Sequence, residues 1–441
     1  MTVIGLDDTD SRTRGMCSTY LATLVAEALA ETGATVERRV LVRLNPAVEH
    51  KTRGNAALAL HTDADPDTAL SVASELVEQY AVGDDPRTSP GVVVADCDPA
   101  AVPDPVATFA RDALREFHTL DDALALAAES GFETRGWGGG DDPASAGGDT
   151  DAVVGRGRIG ALAAVGAWRA FDDWTYEQIS YREFERCGTP REVDEASLFA
   201  AADAGYPTVW DTVDREEGAA VCVPHAPGPI LHGIRGDDAE AVHRVAAAIE
   251  SEPVERTATF VTNQGTDAHL RDGRLGALRD DRAYRVDATV VHAPETRRGG
   301  HVFLAVGDEA SDPATTLDCV AFEPTKRFRD RVRALRVGDR LTVCGEVDDG
   351  TLKLEKFAVR DLVATELAVP TCPDCDRSME SAGAGQGYRC RDCGTNEAGK
   401  VSVAIDRDLD VGWYEVPPCA RRHVAKPLVR GGFDAPTHPE R

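Results

Sequence analysis

The chain has 441 residues, enough for roughly three domains of about 150 residues, each with its own core. Its net charge is −28 and its basic residues are 42 Arg against 6 Lys. That is the balance of a protein from a high-salt cytoplasm, where hydrated carboxylates keep a surface soluble and net charge no longer argues against a nucleic-acid partner. No apolar run nears the ~20 residues of a membrane helix, and no basic-then-apolar leader opens the chain. Seven of the 11 cysteines are scattered singly, unlike a secreted disulfide framework. The expectation is a cytoplasmic protein with no membrane partner.

In chain order, TVIGL is a short strand, STYLATLVAEALAETG an amphipathic helix, RRVLVRL and GNAALALHT strands, DPDTALSVASELVEQYAV a second helix and GVVVAD a buried strand. This alternation predicts a layered α/β domain over 1–154. A Gly- and Asp-rich loop follows, and from about Ile159 the segment IGALAAVGAWRAF reads as a helix. GPILHGIRG (strand), DAEAVHRVAAAIES (helix) and ERTATFV (strand) predict a ferredoxin-like second unit over 155–275. Short strands with Gly and Asp turns then predict a small barrel of the OB type over 283–363. A cysteine motif occupies 368–400, and a tail follows over 401–441.

CPDC and CRDC place Cys372, Cys375, Cys390 and Cys393 as two knuckles able to fold over one tetrahedral, structural Zn²⁺. A barrel followed by a ribbon is a frequent nucleic-acid-binding pair. Arg297, Arg298, Lys326 and Arg327 in the barrel, with Arg421 and Arg422 after the ribbon, are local positive islands, or else surface charge paired with nearby carboxylates.

The first strand ends on LDDTDS. Asp7, Asp8 and Asp10, at a strand end leading into a helix, suit Mg²⁺ on nucleotide phosphates, with Asp8 the first choice as ligand. One of the three is alternatively a base or a helix cap. Gly15 and the hydroxyls of Ser18 and Thr19 stand at the helix N-terminus, where free N–H groups favour anions. KTRGN (Lys51, Arg53, Gly54, Asn55) offers cations beside a Gly turn, and GRGRIG (Gly155, Arg156, Gly157) opens a helix and can cradle phosphates. Neither is a Walker A loop or a dinucleotide fingerprint.

LDDTDS, RGMCSTY, NPAVEHKTRGN, GRGRIGALAAVGA, GPILHGIRG, TNQGTDAHL, GGHVFLAV, the four cysteines and WYEVPPCARRH together resemble the archaeal tRNA(Ile) 2-agmatinylcytidine synthetases over essentially the whole chain. The resemblance implies a kinase-like domain, a ferredoxin-like domain, an OB-fold and a zinc ribbon. It implies ATP, Mg²⁺ and agmatine as reaction partners and an isoleucine tRNA with a CAU anticodon as substrate. In the family, ATP is cleaved to AMP, the C2 oxygen of the wobble cytidine is phosphorylated, and the agmatine amine displaces phosphate. A hydroxyl of the matching GMC segment is autophosphorylated in the family. Here that position is Ser18, where the family pattern leads one to expect Thr, and Thr19 is the alternative. The guanidinium of agmatine requires carboxylates, for which Asp141, Asp142, Asp149 and Asp151 are candidates. The competing readings are a non-catalytic single-strand-binding protein, which has no use for the first 260 residues, and a small-molecule ATPase, which has none for the barrel and ribbon.

Overall fold

In the computed structural model, Thr2–Asp7 (β1) lies inside a sheet, between two neighbouring strands, and is buried because its alternate residues feed two cores. The structure describes all residues except 12–15, 50, 52–53, 82–84, 86, 139–153 and 309–314. Gly15, Arg53, Asp141, Asp142, Asp149 and Asp151 therefore lie outside the described residues.

The elements of the first part are α1 (Ser18–Glu31), β2 (Val36–Arg43), β3 (Ala56–Thr62), α2 (Pro66–Tyr80), β4 (Gly91–Ala95), α3 (Asp104–Asp112), α4 (Leu120–Glu129), β5 (Glu133–Gly136) and α5 (Arg158–Ala170). Then come β6 (Thr175–Arg182), α6 (Glu195–Gly205), β7 (Val209–Trp210), β8 (Ile230–Gly236), α7 (Ala239–Ala247) and β9 (Val254–Thr262). The predicted strands and helices are present; α3, α4, α6, β5 and β7 were not among them. The nine strands form one sheet in the order β5-β4-β1-β3-β2-β9-β6-β8-β7. The join is the parallel pair β2–β9, with Val40 opposite Val261 and Leu41 opposite Thr262. The first two expected units thus share one hydrogen-bonded sheet.

Ile4, Leu6, Leu58 and Leu60 face α1 and α2, while Val3, Val40, Ala57 and Val93 face α3, α4 and α5. The strands read as nearly continuous apolar runs because both faces are covered. Although its sequence opens the expected second unit, α5 packs across β1, β3 and β4 of the first. Glycine permits that closeness: a Cβ on Gly5 would stand 2.1 Å from the Ala161 carbonyl oxygen, and one on Gly91 2.0 Å from the Arg158 nitrogen.

Five strands close a barrel: β10 (Arg282–Thr296), β11 (Val302–Gly307), β12 (Thr316–Ala321), β13 (Arg340–Asp348) and β14 (Thr351–Asp361). The ring runs β10-β11-β12-β14-β13 and back to β10, with only β12–β14 parallel. Closure removes the sheet edges. Val286, Leu304, Leu341, Leu352 and Phe357 fill it. The strand β15 (Gly412–Glu415), from beyond the ribbon, pairs with β14 and returns the tail to the barrel. Three two-residue strands build the ribbon between residues 380 and 397. Among the described residues no helix is long and apolar enough to cross a membrane.

Candidate active site

At the end of β1 the chain turns through Asp8, whose φ of 58° is the left-handed conformation that Asp tolerates better than most residues. The Asp8 amide donates to Asp7 Oδ1 at 2.6 Å. Asp10 reaches across to the start of α1, where its Oδ1 accepts from the Ser18 amide and, at 2.9 Å, from Ser18 Oγ. Asp10 therefore caps the helix, since the residue before it, Cys17, offers no side-chain cap. Thr9 Oγ1 lies 3.0 Å from the same Ser18 oxygen. Three carboxylates within four residues raise one another's cost of ionisation. Burial first, and then the Asp8 charge, hold the Asp7 carboxyl well above the usual carboxylate range.

The residues before α5 complete this corner. Arg156 Nη2 bonds Asp8 Oδ2 at 2.9 Å and the Arg87 carbonyl at 2.8 Å. The amides of Gly155, Arg156 and Gly157, expected to cradle phosphates, are instead bonded within the chain, to the Trp137 carbonyl, Ser89 Oγ and the Ser89 carbonyl. What the glycines supply is close approach. A Cβ on Gly157 would lie 2.6 Å from the Asp7 carbonyl oxygen, and one on Gly160 would lie 1.9 Å from Asp7 Oδ2.

These residues wall one open cleft with about 860 Å³ of atom-free space. Asp7, Asp8, Asp10, Ser18, Lys51, Gly54, Asn55, Arg156 and Gly157 all line it, so the structure gathers stretches that are 150 residues apart in sequence. Two expected residues stand elsewhere. Thr19 is buried beside Cys17 Sγ at 3.0 Å, and Gly155 lies behind the wall. Lys51 turns its ammonium onto the carbonyls of Pro46 and, at 2.8 Å, Val48, and its pKa is lowered chiefly by burial.

Leu44, Val48 and Ile159 also line the cleft, and three further lining residues were not foreseen: Glu116, Phe117 and His118. Phe117 is 47% exposed, and His118 stacks on Phe109 with ring centroids 4.1 Å apart. Burial lowers the His118 pKa, so its ring is neutral at pH 7. Glu116, Phe117 and His118 come from a loop between α3 and α4 with no motif. Glu116 anchors it, accepting from Arg271 at 2.8 Å, Arg279 at 2.9 Å and Arg282 at 2.6 Å, all on the approach to the barrel.

The ribbon meets a geometric test for zinc. Tetrahedral Zn–S bonds of about 2.3 Å separate sulfurs by ~3.8 Å. The Cys372–Cys393, Cys375–Cys390 and Cys375–Cys393 sulfurs lie 3.3, 3.4 and 3.9 Å apart, and all four fall within 4.8 Å of one another. Gly394, at φ 79°, turns the second knuckle. For Mg²⁺ the donors differ: among the described residues no three carboxylates converge in this way.

The barrel and tail cations divide. Arg297 and Arg298 are exposed on the β10–β11 turn. Arg327 is engaged by Asp214 at 3.0 Å and by Glu440, and Lys326 lies 3.6 Å from Glu217. Arg421 is buried between Asp211 at 2.8 Å and Glu415 at 2.9 Å, and Arg422 holds Glu346 at 3.0 Å and Glu355 at 2.5 Å. The charges of Arg327, Arg421 and Arg422 are thus met inside the chain.

A carboxylate-walled cleft in an α/β sheet, carried with a closed barrel and a four-cysteine ribbon, defines a multidomain enzyme with appended binding modules. Three family models match: "TiaS TCKD domain" over residues 3–64, "TiaS FLD domain" over 155–269 and "TiaS C-terminal zinc ribbon domain" over 369–409. A curated relative from Haloquadratum walsbyi, named as the isoleucine-tRNA 2-agmatinylcytidine synthetase TiaS, is 57% identical over 100% of both chains. Solved structures of TiaS with its isoleucine tRNA and ATP, and of TiaS with that tRNA, AMPCPP and agmatine, are 38% and 36% identical, with TM-scores of 0.85 and 0.83. Each covers 100% of this chain and 99% of its own. The chain belongs to the TiaS family of isoleucine-tRNA 2-agmatinylcytidine synthetases.

Proposed function

We propose that the chain joins agmatine to C2 of the wobble cytidine of a CAU-anticodon isoleucine tRNA at the expense of ATP, forming 2-agmatinylcytidine. The observation that carries this reading is the gathering of Asp7, Asp8, Asp10, Ser18 and Lys51 in one cleft of a chain that matches the named synthetases end to end.

The C2 carbonyl is urea-like and a poor electrophile. Of the two phosphoryl groups that ATP gives up on the way to AMP, one goes to the C2 oxygen, which leaves as phosphate when the agmatine nitrogen bonds to C2 and gives up its proton, and the other is taken by the Ser18 hydroxyl and released to water. Phosphoryl transfer asks a protein mainly for positioning and for charge that meets charge. Asp7 and Asp8 would hold Mg²⁺, which neutralises phosphate charge when bound. Arg156 fixes Asp8, and Lys51 stands ready to leave its carbonyls for a phosphate oxygen. Asp10, 2.9 Å from Ser18 Oγ, is placed to take the proton of that hydroxyl. Ser18 lines the cleft and Thr19 does not, which favours Ser18 as phospho-acceptor. The wall of Leu44, Phe117, His118 and Ile159 is suited to a base. In this reading residues 1–154 serve as the kinase-like unit, 155–275 as the ferredoxin-like unit and the rest as tRNA-holding modules.

The test supplies labelled agmatine, ATP, Mg²⁺ and a CAU isoleucine tRNA transcript at high salt, and follows label entering tRNA and AMP appearing. Wild type does both. Asp8→Asn, which keeps the left-handed turn, and Ser18→Ala lose both by at least about a hundredfold. Wild-type chain that binds the tRNA yet leaves ATP and agmatine untouched overturns the reading.

A further inference from the structure

The loop that brings Phe117 to the cleft takes its position from the barrel. Phe117 is 47% exposed and, among the described residues, joins none of the apolar cores, so packing alone does not fix its ring. Its place is set by the residues on either side and by what holds them. His118 stacks on Phe109 of α3. Glu116 is held from the other direction. Its Oε1 accepts from Arg271 Nη1 at 2.8 Å and Arg279 Nη2 at 2.9 Å, and its Oε2 accepts from Arg282 Nε at 2.8 Å and Nη2 at 2.6 Å. The Arg282 guanidinium also stands 5.6 Å from the centroid of the Phe117 ring, within cation–π range. Arg282 thus grips the loop twice, at a carboxylate and at an aromatic face.

These cations belong to the barrel side. Arg282 opens β10 and is paired there with Val347 of β13. Arg271 sits in a short strand, Arg271–Asp272, that runs parallel to β10 opposite Tyr284 and Arg285. The loop's other anchor lies in the sheet domain. The Asn45 amide donates to the Ala113 carbonyl at 3.0 Å, and Asn55, which lines the cleft, donates its Nδ2 to the Asn45 carbonyl at 2.8 Å. Residues 113–118 therefore run from the cleft lining to the first strand of the barrel. An exposed ion pair is ordinarily worth little, because long side chains must be ordered to make it. Here four charge-assisted hydrogen bonds meet on one carboxylate that is 26% exposed, and what such a network gives is fixed geometry.

We infer that Arg282 and Glu116 are positioning residues for the aromatic wall of the cleft: through them the barrel sets where Phe117 stands, so the wall is in place for a base when sheet and barrel are in register. The inference rests on the synthetase reading above and deepens it. Both residues act through Phe117, and neither is assigned a reacting atom.

The test is a double-mutant cycle between Arg282 and Phe117 in the full-length protein. It is read as turnover of agmatine incorporation at saturating CAU isoleucine tRNA, with tRNA affinity measured separately by filter binding. Arg282→Met lowers turnover on the order of tenfold and shifts tRNA affinity by less than about twofold. Phe117→Ala lowers turnover by a similar factor. Arg282→Met placed in that background costs less than about twofold more, since changes that act through one side chain do not add. Where Arg282→Met brings the melting temperature into the assay range, Glu116→Gln takes its place in the cycle. Losses that add, or single variants with wild-type turnover, overturn the positioning role and leave the synthetase reading standing. A loss confined to tRNA affinity assigns Arg282 to RNA contact and overturns it as well. Wild type that binds the tRNA and incorporates no agmatine overturns both readings.

Discussion

Asp7, proposed above to hold Mg²⁺, carries a cost in stability. Its carboxyl is held above the usual range by burial and by Asp8. The folded protein therefore binds that proton more tightly than the unfolded chain, and stability falls as pH rises through and above the ordinary carboxylate range. Asp7→Asn removes this penalty and keeps the oxygen that accepts from the Asp8 amide. The variant should melt roughly 2–4 °C higher than wild type at pH 7, lose the advantage toward pH 3–4, and lose agmatine incorporation; calorimetry across pH checks it. A lower melting temperature at pH 7 would refute the account. At this scale the sequence was informative where charges are contiguous: Asp7, Asp8 and Asp10 announce themselves. Glu116, Phe117 and His118 do not, because only folding carries their loop to the cleft.

Between elements, the decisive contact is α5 against β1. The helix could be read from its apolar periodicity, and GRGRIG could be recognised as special. Its purpose could not, since an amide used for phosphate and a glycine used for proximity look alike in sequence. The structure separates two outcomes. In Gly5→Ala the new methyl meets the Ala161 carbonyl, 2.1 Å from an ideal Cβ, and backbone must move. A loss of about 1–3 kcal/mol or more is expected by thermal or urea unfolding. In Gly160→Ala the methyl meets the Asp7 carboxylate at 1.9 Å, which a side-chain rotation relieves. That variant should stay folded with turnover reduced at least about tenfold, because an oxygen proposed to hold Mg²⁺ has been displaced. Equal stability losses in the two would break the distinction. Strand pairing was the other unread feature: each strand was evident, but nothing local tells β2 that its neighbour is β9.

Across the whole molecule, sheet and barrel are bound together by Arg421, which links Asp211 after β7 to Glu415 at the end of β15. The tail motif WYEVPPCARRH looked like a basic island; Arg421 is instead a buried joint, and chain-wide acidity hid which carboxylates would meet it. Arg421→Met leaves two buried carboxylates without their cation and should cost about 3–5 kcal/mol. Glu415, pushed up to about 7 by burial, sets the pH dependence. Its contribution to stability declines as pH rises from the ordinary range near ~4.3 toward 7. Unfolding of the variant at pH 6 and 8 checks both, and a variant as stable as wild type would remove Arg421 from the joint.

The single sheet also has a consequence for the order of synthesis. β2 leaves the ribosome with one side unpaired, and its partner strand is made only when Val261 and Thr262 emerge, more than two hundred residues after Val40 and Leu41. At about 5–20 residues per second, that edge waits roughly 10–45 s. A bare edge is a template for aggregation, and charged side chains are the usual protection. The sequence of β2, VERRVLVR, carries one Glu and three Arg. Arg43 later pairs with Glu177 of β6, and its main-chain amide with Asn263 just after β9. The residues that will close the sheet are thus also among those that keep its open side solvated while the nascent chain is still half made.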